Sequence, residues 1–410
     1  MSLEKLNPSL INEVQALEKE GRAKAPERVI TGYVPPSGAR GPRYTLRGAS
    51  GEFLRMNSNS YLSLSNHPAL LEAADAAATR FGVGPGAVRF IDGTAMPHVE
   101  LEDRIARFTG RPAAKIFNSA YTSVLGLAIA LTGPDTFWIG DELNHSCIIR
   151  AMRIANVPKE QRAIFKHNDV ADLQRQLDTV PSSAGRVLVI FDGIFSMRGD
   201  NAPVAETVRL TGRYESRYRD GVVTIMDDSH GIGAYGETGR GTEEFCGARV
   251  DILVGTFGKA FGVNGGFIAG SPELVEAVRQ KADTYIYTNP LGAADAAAAI
   301  AGVAIADGAD GRERLANLKA RTKQFRDGLT ALGFESIPGP HPIVPLLVRE
   351  TERTRAMVRG LFDRGVLAVG LTFPVVPRGD ETIRFQINAA HTPADIEHVL
   401  GALREIAPPG

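Results

Sequence analysis

Gly255-Thr256-Phe257-Gly258-Lys259-Ala260-Phe261-Gly262 follows directly on the apolar run Ile252-Leu253-Val254. Ile, Leu and Val breaking into glycine, with one lysine among small residues, predict a buried strand whose end presents a single amine. Glycine at that end lets a bulky molecule approach the backbone. An amine held among apolar groups loses proton affinity and becomes a nucleophile able to condense with a carbonyl. Upstream, a second apolar run at 222–226 ends in Asp227-Asp228-Ser229-His230, which sets an acid and a histidine just past another strand end.

The same character recurs at 115–118, 137–140, 186–191 and 267–269, in runs rich in Ile, Val and Phe. Near-continuous apolar runs predict strands buried on both faces. Their alternation with helical segments predicts an α/β domain with a mostly parallel sheet. Such sheets bind ligands beyond the carboxyl ends of their strands. Asp227, His230 and Lys259 all fall at such ends.

Around this centre the chain divides into three. Residues 1–60 predict an N-terminal arm: a helix over 8–23, then extended chain rich in proline and glycine. Residues 61–298 predict the large domain. It opens with a helix to about residue 81, for which Asn66 is the expected cap, and a second helix over 98–109. Residues 299–410 predict a smaller α+β domain with apolar runs at 343–348, 366–371 and 383–387. Thr392-Pro393-Ala394-Asp395 has the cap, proline and acid of a helix start.

Composition narrows the function classes. With 410 residues, 43% of them hydrophobic, the chain has material for a sizeable core. A net charge of −1 provides no field to draw nucleic acid or an anionic membrane. Two cysteines, Cys147 and Cys246, make no disulfide framework, and the histidines show no zinc-ligand spacing. Met1-Ser2-Leu3-Glu4-Lys5 lacks a signal-peptide pattern, and no apolar run reaches the roughly 18–20 residues of a membrane span. The expectation is a cytoplasmic protein without a nucleic-acid partner, a membrane partner or a resident metal.

Several constellations carry chemistry. Asn118-Ser119-Ala120-Tyr121-Thr122-Ser123 follows a strand and opens a helix, which makes an anion cradle. Asn144-His145-Ser146 follows another strand and offers His145 as a flat ring. Thr256 stands three residues before Lys259. Singly, each has a structural reading: a solvated loop lysine, a turn acid, a hydrogen-bonded histidine. In this order and at successive strand ends they match the needs of pyridoxal 5′-phosphate (PLP). Its aldehyde needs a lysine, its pyridine nitrogen a carboxylate, its ring a flat neighbour, and its phosphate backbone donors. Lys259, Asp227, His145 and the cradle at Ser119–Tyr121 supply these in turn, and His230 can reach the ring oxygen. The competing pattern Gly231-Ile232-Gly233-Ala234-Tyr235-Gly236 fits G-x-G-x-x-G. Asp-Asp-Ser-His separates it from the strand, and loop residues follow it, so a dinucleotide fold is not expected.

From about residue 27 onward these residues resemble the α-oxoamine synthases, fold-type I PLP enzymes that join an amino acid to an acyl-CoA. The resemblance rests on Asn59-Ser60-Tyr61-Leu62-Ser63-Leu64, Val88-Arg89-Phe90-Ile91-Asp92-Gly93-Thr94, Asp192-Gly193-Ile194-Phe195-Ser196-Met197, the Asp-Asp-Ser-His run and Gly255 to Gly262. Phe373-Pro374-Val375-Val376-Pro377 and Ile383-Arg384 look most like the glycine C-acetyltransferase branch. The resemblance implies a homodimer with shared active sites, in which Lys259 is PLP lysine and proton shuttle. Asp227 and His230 would hold the ring, His145 would stack on it, and Ser196 would lie near the ring oxygen. Ala120, Tyr121 and Thr256 would bind the phosphate. Thr288 would reach the phosphate of the partner subunit's cofactor, and Asn59 and Arg384 would hold the substrate carboxylate. The implied reaction condenses a small amino acid, glycine first, with an acyl-CoA thioester and frees CoA. Decarboxylating condensations of the 8-amino-7-oxononanoate synthase or serine palmitoyltransferase kind, and an aminotransferase working without CoA, stand as alternatives.

Overall fold

The computed structural model describes residues 2–406. Its contacts divide into two compact units, one of residues 59–319, the other joining residues up to Ser58 with those from Ala320 onward. The boundary expected at 298 falls inside the helix Ala293–Asp307. Ala296, Ala299 and Val303 are buried on that helix, which packs against the helix Pro68–Phe81 of the same unit. The division comes instead within the helix Ala309–Ala331.

The larger unit is built on a seven-stranded sheet. Its order is Ala113–Phe117, Gly266–Gly270, Ile252–Thr256, Val222–Asp227, Arg186–Asp192, Thr136–Asp141, Arg162–Phe165. Gly266–Gly270 runs antiparallel to both neighbours, and the other adjacent pairs are parallel. Five of the six expected runs lie within these strands, and the sixth, 115–118, overruns Ala113–Phe117 by one residue. The seventh strand, Arg162–Phe165, left no apolar run: at its edge of the sheet only Phe165 is buried and Ile164 is 67% exposed. The helix Ala120–Leu131 is apolar almost all round, and Val124, Leu127 and Ala128 pack in one cluster with Trp138, Ile225 and Val254. Each large side chain so buried contributes roughly 1.5–3 kcal/mol of transfer free energy. That stabilisation keeps the sheet rigid and its carboxyl ends fixed.

Two helix starts differ in detail from expectation. His67, not Asn66, caps Pro68–Phe81: its Nδ1 accepts from Ala69 N–H at 3.2 Å. An imidazole nitrogen does the work of the usual short oxygen side chain. The first helix is Ser2–Lys19, ahead of the expected 8–23.

The second unit carries a hairpin, Ile30–Val34 with Arg43–Leu46, and the antiparallel sheet Ile343–Leu347, Thr382–Gln386, Val369–Leu371. Its last helix, Pro393–Ile406, opens as expected. Asp395 N–H donates to Thr392 Oγ1 at 3.1 Å and Thr392 N–H to Asp395 Oδ2 at 2.9 Å, a reciprocal capping box. Among the described residues no helix is long and apolar enough to cross a membrane.

Candidate active site

Loops at the carboxyl ends of five strands of the sheet line a cavity of about 80 Å³. The loop after Ala113–Phe117 contributes Ala120 and Tyr121, and that after Thr136–Asp141 contributes His145 and Cys147. Arg186–Asp192 and its loop supply Asp192, Ile194 and Ser196; Val222–Asp227 and its loop supply Asp227, Ser229 and His230. Thr256 and Lys259 come from the end of Ile252–Thr256.

The Lys259 loop is anchored on both sides. Phe257 and Phe261 are fully buried, while Lys259 itself is half-buried. Phe257 N–H donates to Gly265 O and Gly262 N–H to Lys259 O. The turn brings Gly262, at φ +76°, so close to the Leu64–Ser65 backbone that a Cβ there would lie 2.6 Å from Ser65 N.

Asp227 closes its strand 6% exposed, and its Oδ1 accepts from Ser229 N–H at 3.0 Å. On the neighbouring parallel strand Asp192 sits in register with it. Burial and the charge of Asp227 raise the Asp192 carboxyl well above the usual carboxylate range, against the N–H of His145 that donates to its Oδ2 at 2.9 Å. The other oxygen of Asp192 and the hydroxyl of Ser229 are buried without a hydrogen-bond partner.

His145 caps the helix Ser146–Ile154, its Nδ1 accepting from Cys147 N–H at 3.3 Å. Burial holds its pKa below the ordinary histidine range; Asp227 pulls the other way, and the positive Lys259 adds to the depression. The ring is therefore neutral, with a fixed orientation. His230 lies 8% exposed, and its Nδ1 is 2.7 Å from the hydroxyl of buried Tyr61. Behind it, Asp228 accepts from Thr242 Oγ1 at 2.5 Å and Thr242 N–H at 2.8 Å. Burial pushes the Asp228 carboxyl up to about 7, with the Thr242 bonds opposing.

A helix begins at the expected cradle. Ser119 caps Ala120–Leu131, and its Oγ accepts from Thr122 N–H at 3.1 Å. Ala120 and Tyr121, at the positive end of that helix, line the cavity. Gly266 presses against this point: a Cβ on it would lie 2.2 Å from Ala120 N. Thr256 also lines the cavity, but its hydroxyl is engaged in the turn, donating to Gly265 O at 2.8 Å and accepting from Gly258 N–H at 3.0 Å.

Lys259, Asp227, His230, His145, Ser196, Thr256, Ala120 and Tyr121 thus meet in one cavity, and Ser119 holds the helix start behind it. Thr288 follows the short helix Asp283–Ile286 and is not among the lining residues. Asn59 begins the larger unit, and Tyr61 N–H donates to its carbonyl. Arg384 lies in the second unit, half-buried on Thr382–Gln386 between Pro345 and Val369. Asp192, Cys147, Ile194 and Ser229 line the cavity without having been singled out for a role. Asp192, Ile194 and Ser229 lie inside the Asp192–Met197 and Asp-Asp-Ser-His motifs, and position in the motif is the signal that marks them.

These residues fit PLP. An aldehyde would meet one amine, a pyridine nitrogen a buried carboxylate, a phosphate a helix N-terminus, and the orphaned oxygens of Asp192 and Ser229 line the same space. A mostly parallel sheet with a lysine past a strand end and an aspartate closing the neighbouring strand defines a fold-type I PLP transferase.

The comparisons agree. The 8-amino-7-oxononanoate synthase of Thermosipho melanesiensis is 37% identical over 86% of this chain and 88% of its own. Human mitochondrial 2-amino-3-ketobutyrate coenzyme A ligase is 36% identical over 99% of this chain and 93% of its own. The solved Sphingomonas wittichii serine palmitoyltransferase superposes with a TM-score of 0.85 at 27% identity, over 98% of this chain and 97% of that one. Another serine palmitoyltransferase structure, 28% identical with a TM-score of 0.84 over 97% of both chains, contains PLP. The family model for aminotransferase class I and II matches residues 52–403, and the chain belongs to that family and, within it, to the PLP-dependent α-oxoamine synthases.

Proposed function

We propose that this enzyme condenses a small α-amino acid, glycine first, with an acyl-CoA thioester and releases free CoA. The observation that carries the reading is the convergence of Lys259, Asp227 and neutral His145 in one cavity, beside a helix N-terminus. When bound, PLP supplies a carbonyl for the substrate amine and a ring that accepts electrons from the amino acid's Cα.

The chain's residues do the rest. Lys259 offers the amine that holds the cofactor and then serves as the base that takes the Cα proton. Asp227, its carboxylate oriented by Ser229 N–H, would keep a proton on the pyridine nitrogen of bound PLP. His230, braced by Tyr61, would hold the ring oxygen together with Ser196. His145 presents an uncharged flat face. The start of Ala120–Leu131 takes the phosphate, with Thr256 beside it. Arg384 and Asn59 receive the substrate carboxylate, where a guanidinium makes a two-point contact. Two copies pair, and Thr288 of each reaches toward the phosphate in the other. Support for the pairing is that Thr288 is absent from its own chain's cavity and that Tyr287 beside it is 76% exposed.

The test is a free-thiol release assay on the PLP-loaded protein, across a panel of small amino acids and acyl-CoA thioesters. Thiol release dependent on both partners is the expected result. Keto-acid formation from an amino acid with no thiol release would overturn the reading in favour of amino transfer.

A further inference from the structure

One side chain outside the cavity ties together the two loops that carry His145 and Ser196. His167 follows the edge strand Arg162–Phe165. Its Nδ1 lies 3.1 Å from Asp141 Oδ1 and its Nε2 3.1 Å from Asp200 Oδ2. Asp141 is buried, and its carboxylate also accepts from the backbone N–H groups of Leu143 and Asn168. It therefore sets the turn that leads into His145. Asp200 closes the turn behind Ser196: Phe195 N–H donates to its carbonyl at 3.0 Å, and Arg198 Nε to its Oδ2 at 2.9 Å. The His167 ring stands edge-on to Phe195, centroids 4.3 Å apart and planes at 85°, directly beside Ser196. Glu142 accepts from the backbone N–H of His167 and completes the charged surroundings.

We propose that His167 is a positioning residue for the cofactor pocket: bridging Asp141 and Asp200, it fixes the loop carrying His145 against the loop carrying Ser196. The inference rests on the PLP reading of the cavity. Without the imidazole, two carboxylates face a shared gap, and their repulsion drives the loops apart. Burial opposes charging of the ring, but the bonds to Asp141 and Asp200 outweigh it and raise His167 to about 9. Both ring nitrogens therefore donate at neutral pH. A site gains its geometry from such support behind the residues that touch the ligand.

The test reconstitutes apo wild type, His167→Ala and His167→Gln with PLP. It reads cofactor Kd and the induced circular dichroism of the bound ring, with Tm alongside. His167→Ala is expected to raise Kd about tenfold or more and to reduce the induced signal. His167→Gln, which can still donate to one carboxylate, recovers part of both. If both variants keep wild-type Kd and wild-type induced signal, the inference is overturned, however far Tm falls. If the alanine variant does not fold, the glutamine variant decides by the same two readouts. A wild-type protein that fails to bind PLP would sink the cofactor reading as well, so the two failures are distinguishable.

Discussion

Asp192 and Asp227 occupy paired positions on neighbouring parallel strands, both facing the cavity that holds Lys259. Two buried acids that repel each other do not share charge equally. Burial and the Asp227 charge push Asp192 toward its neutral form. Asp227→Asn keeps shape and an acceptor for Ser229 N–H but removes the charge proposed to hold a proton on the ring. Turnover in the thiol-release assay is expected to fall about 10²-fold or more. Asp192→Asn, an isostere of the neutral acid that still accepts from His145 N–H, is expected to fall far less. Equal losses would show that the two carboxyls do not divide the work this way.

Lys259→Ala removes the only amine among the cavity's lining residues. Borohydride treatment of the PLP-loaded wild type, followed by intact-mass measurement, should show a covalently added pyridoxyl group. The variant should show none and should lose turnover by several orders of magnitude. A variant that still carried the added mass would place the attachment elsewhere.

Arg384 belongs to the substrate side of the proposal. Its strand neighbours Ile383 and Phe385 are fully buried, which fixes the backbone from which the guanidinium projects. Arg384→Lys keeps the charge but loses the planar two-point fork. The expected result is a KM for the amino acid raised roughly tenfold or more, with Kd for PLP unchanged. An unaltered KM would take the carboxylate away from this residue.

What the sequence revealed and what it hid have physical causes. Strands Ile252–Thr256 and Val222–Asp227 are buried on both faces, so their composition alone announced them, and chemistry at their ends followed. Arg162–Phe165 was invisible because only its last residue is buried, so it needs no continuous apolar face. His145 was expected as a stacking ring, and Ser119 as part of an anion cradle. Their capping roles depend on which helix begins next to them, which short motifs do signal. The Tyr61–His230 contact joins residues far apart in the chain, and His167 meets two acids on separate loops; neither pairing has a local pattern. The arm's share in the second unit was hidden for the same reason, since Leu54–Arg55 pairs with Val366–Leu367 only across the chain's length.

His167 also predicts a pH effect on stability. Its folded pKa is raised to about 9, above the roughly 6.5 of an unfolded histidine. Its contribution is therefore complete below about 6.5 and lost as pH rises through 9. Partial exposure of the ring limits this to on the order of 2 kcal/mol. The Tm advantage of wild type over His167→Gln should be largest near pH 6 and should shrink toward pH 10. The charged groups around the ring are Asp141, Asp200, Glu142 and Arg198, and against its burial the hydrogen bond from His167 holds the Asp200 carboxyl below the usual carboxylate range. An advantage that did not change with pH would mean that the ring acts by packing alone.

Gly266 lies where the first residue of Gly266–Gly270 touches the start of Ala120–Leu131. A Cβ there would sit 2.2 Å from Ala120 N, 2.4 Å from Ser119 C and 2.5 Å from Ala120 Cα. All three are backbone atoms, so no side chain can rotate away, and the helix start must shift. The same backbone is the proposed phosphate cradle, and Ser119 and Gly265 are bridged just beside it. Gly266→Ala is therefore expected to cost about 1–3 kcal/mol of stability and to weaken PLP binding more than it slows turnover of the saturated enzyme. Reconstitution titrations and thermal melts separate the two effects. Pyridoxal, which lacks the phosphate, provides the control: its affinity should change little between wild type and variant. An equal loss for pyridoxal and PLP would locate the damage in the ring pocket instead of the cradle.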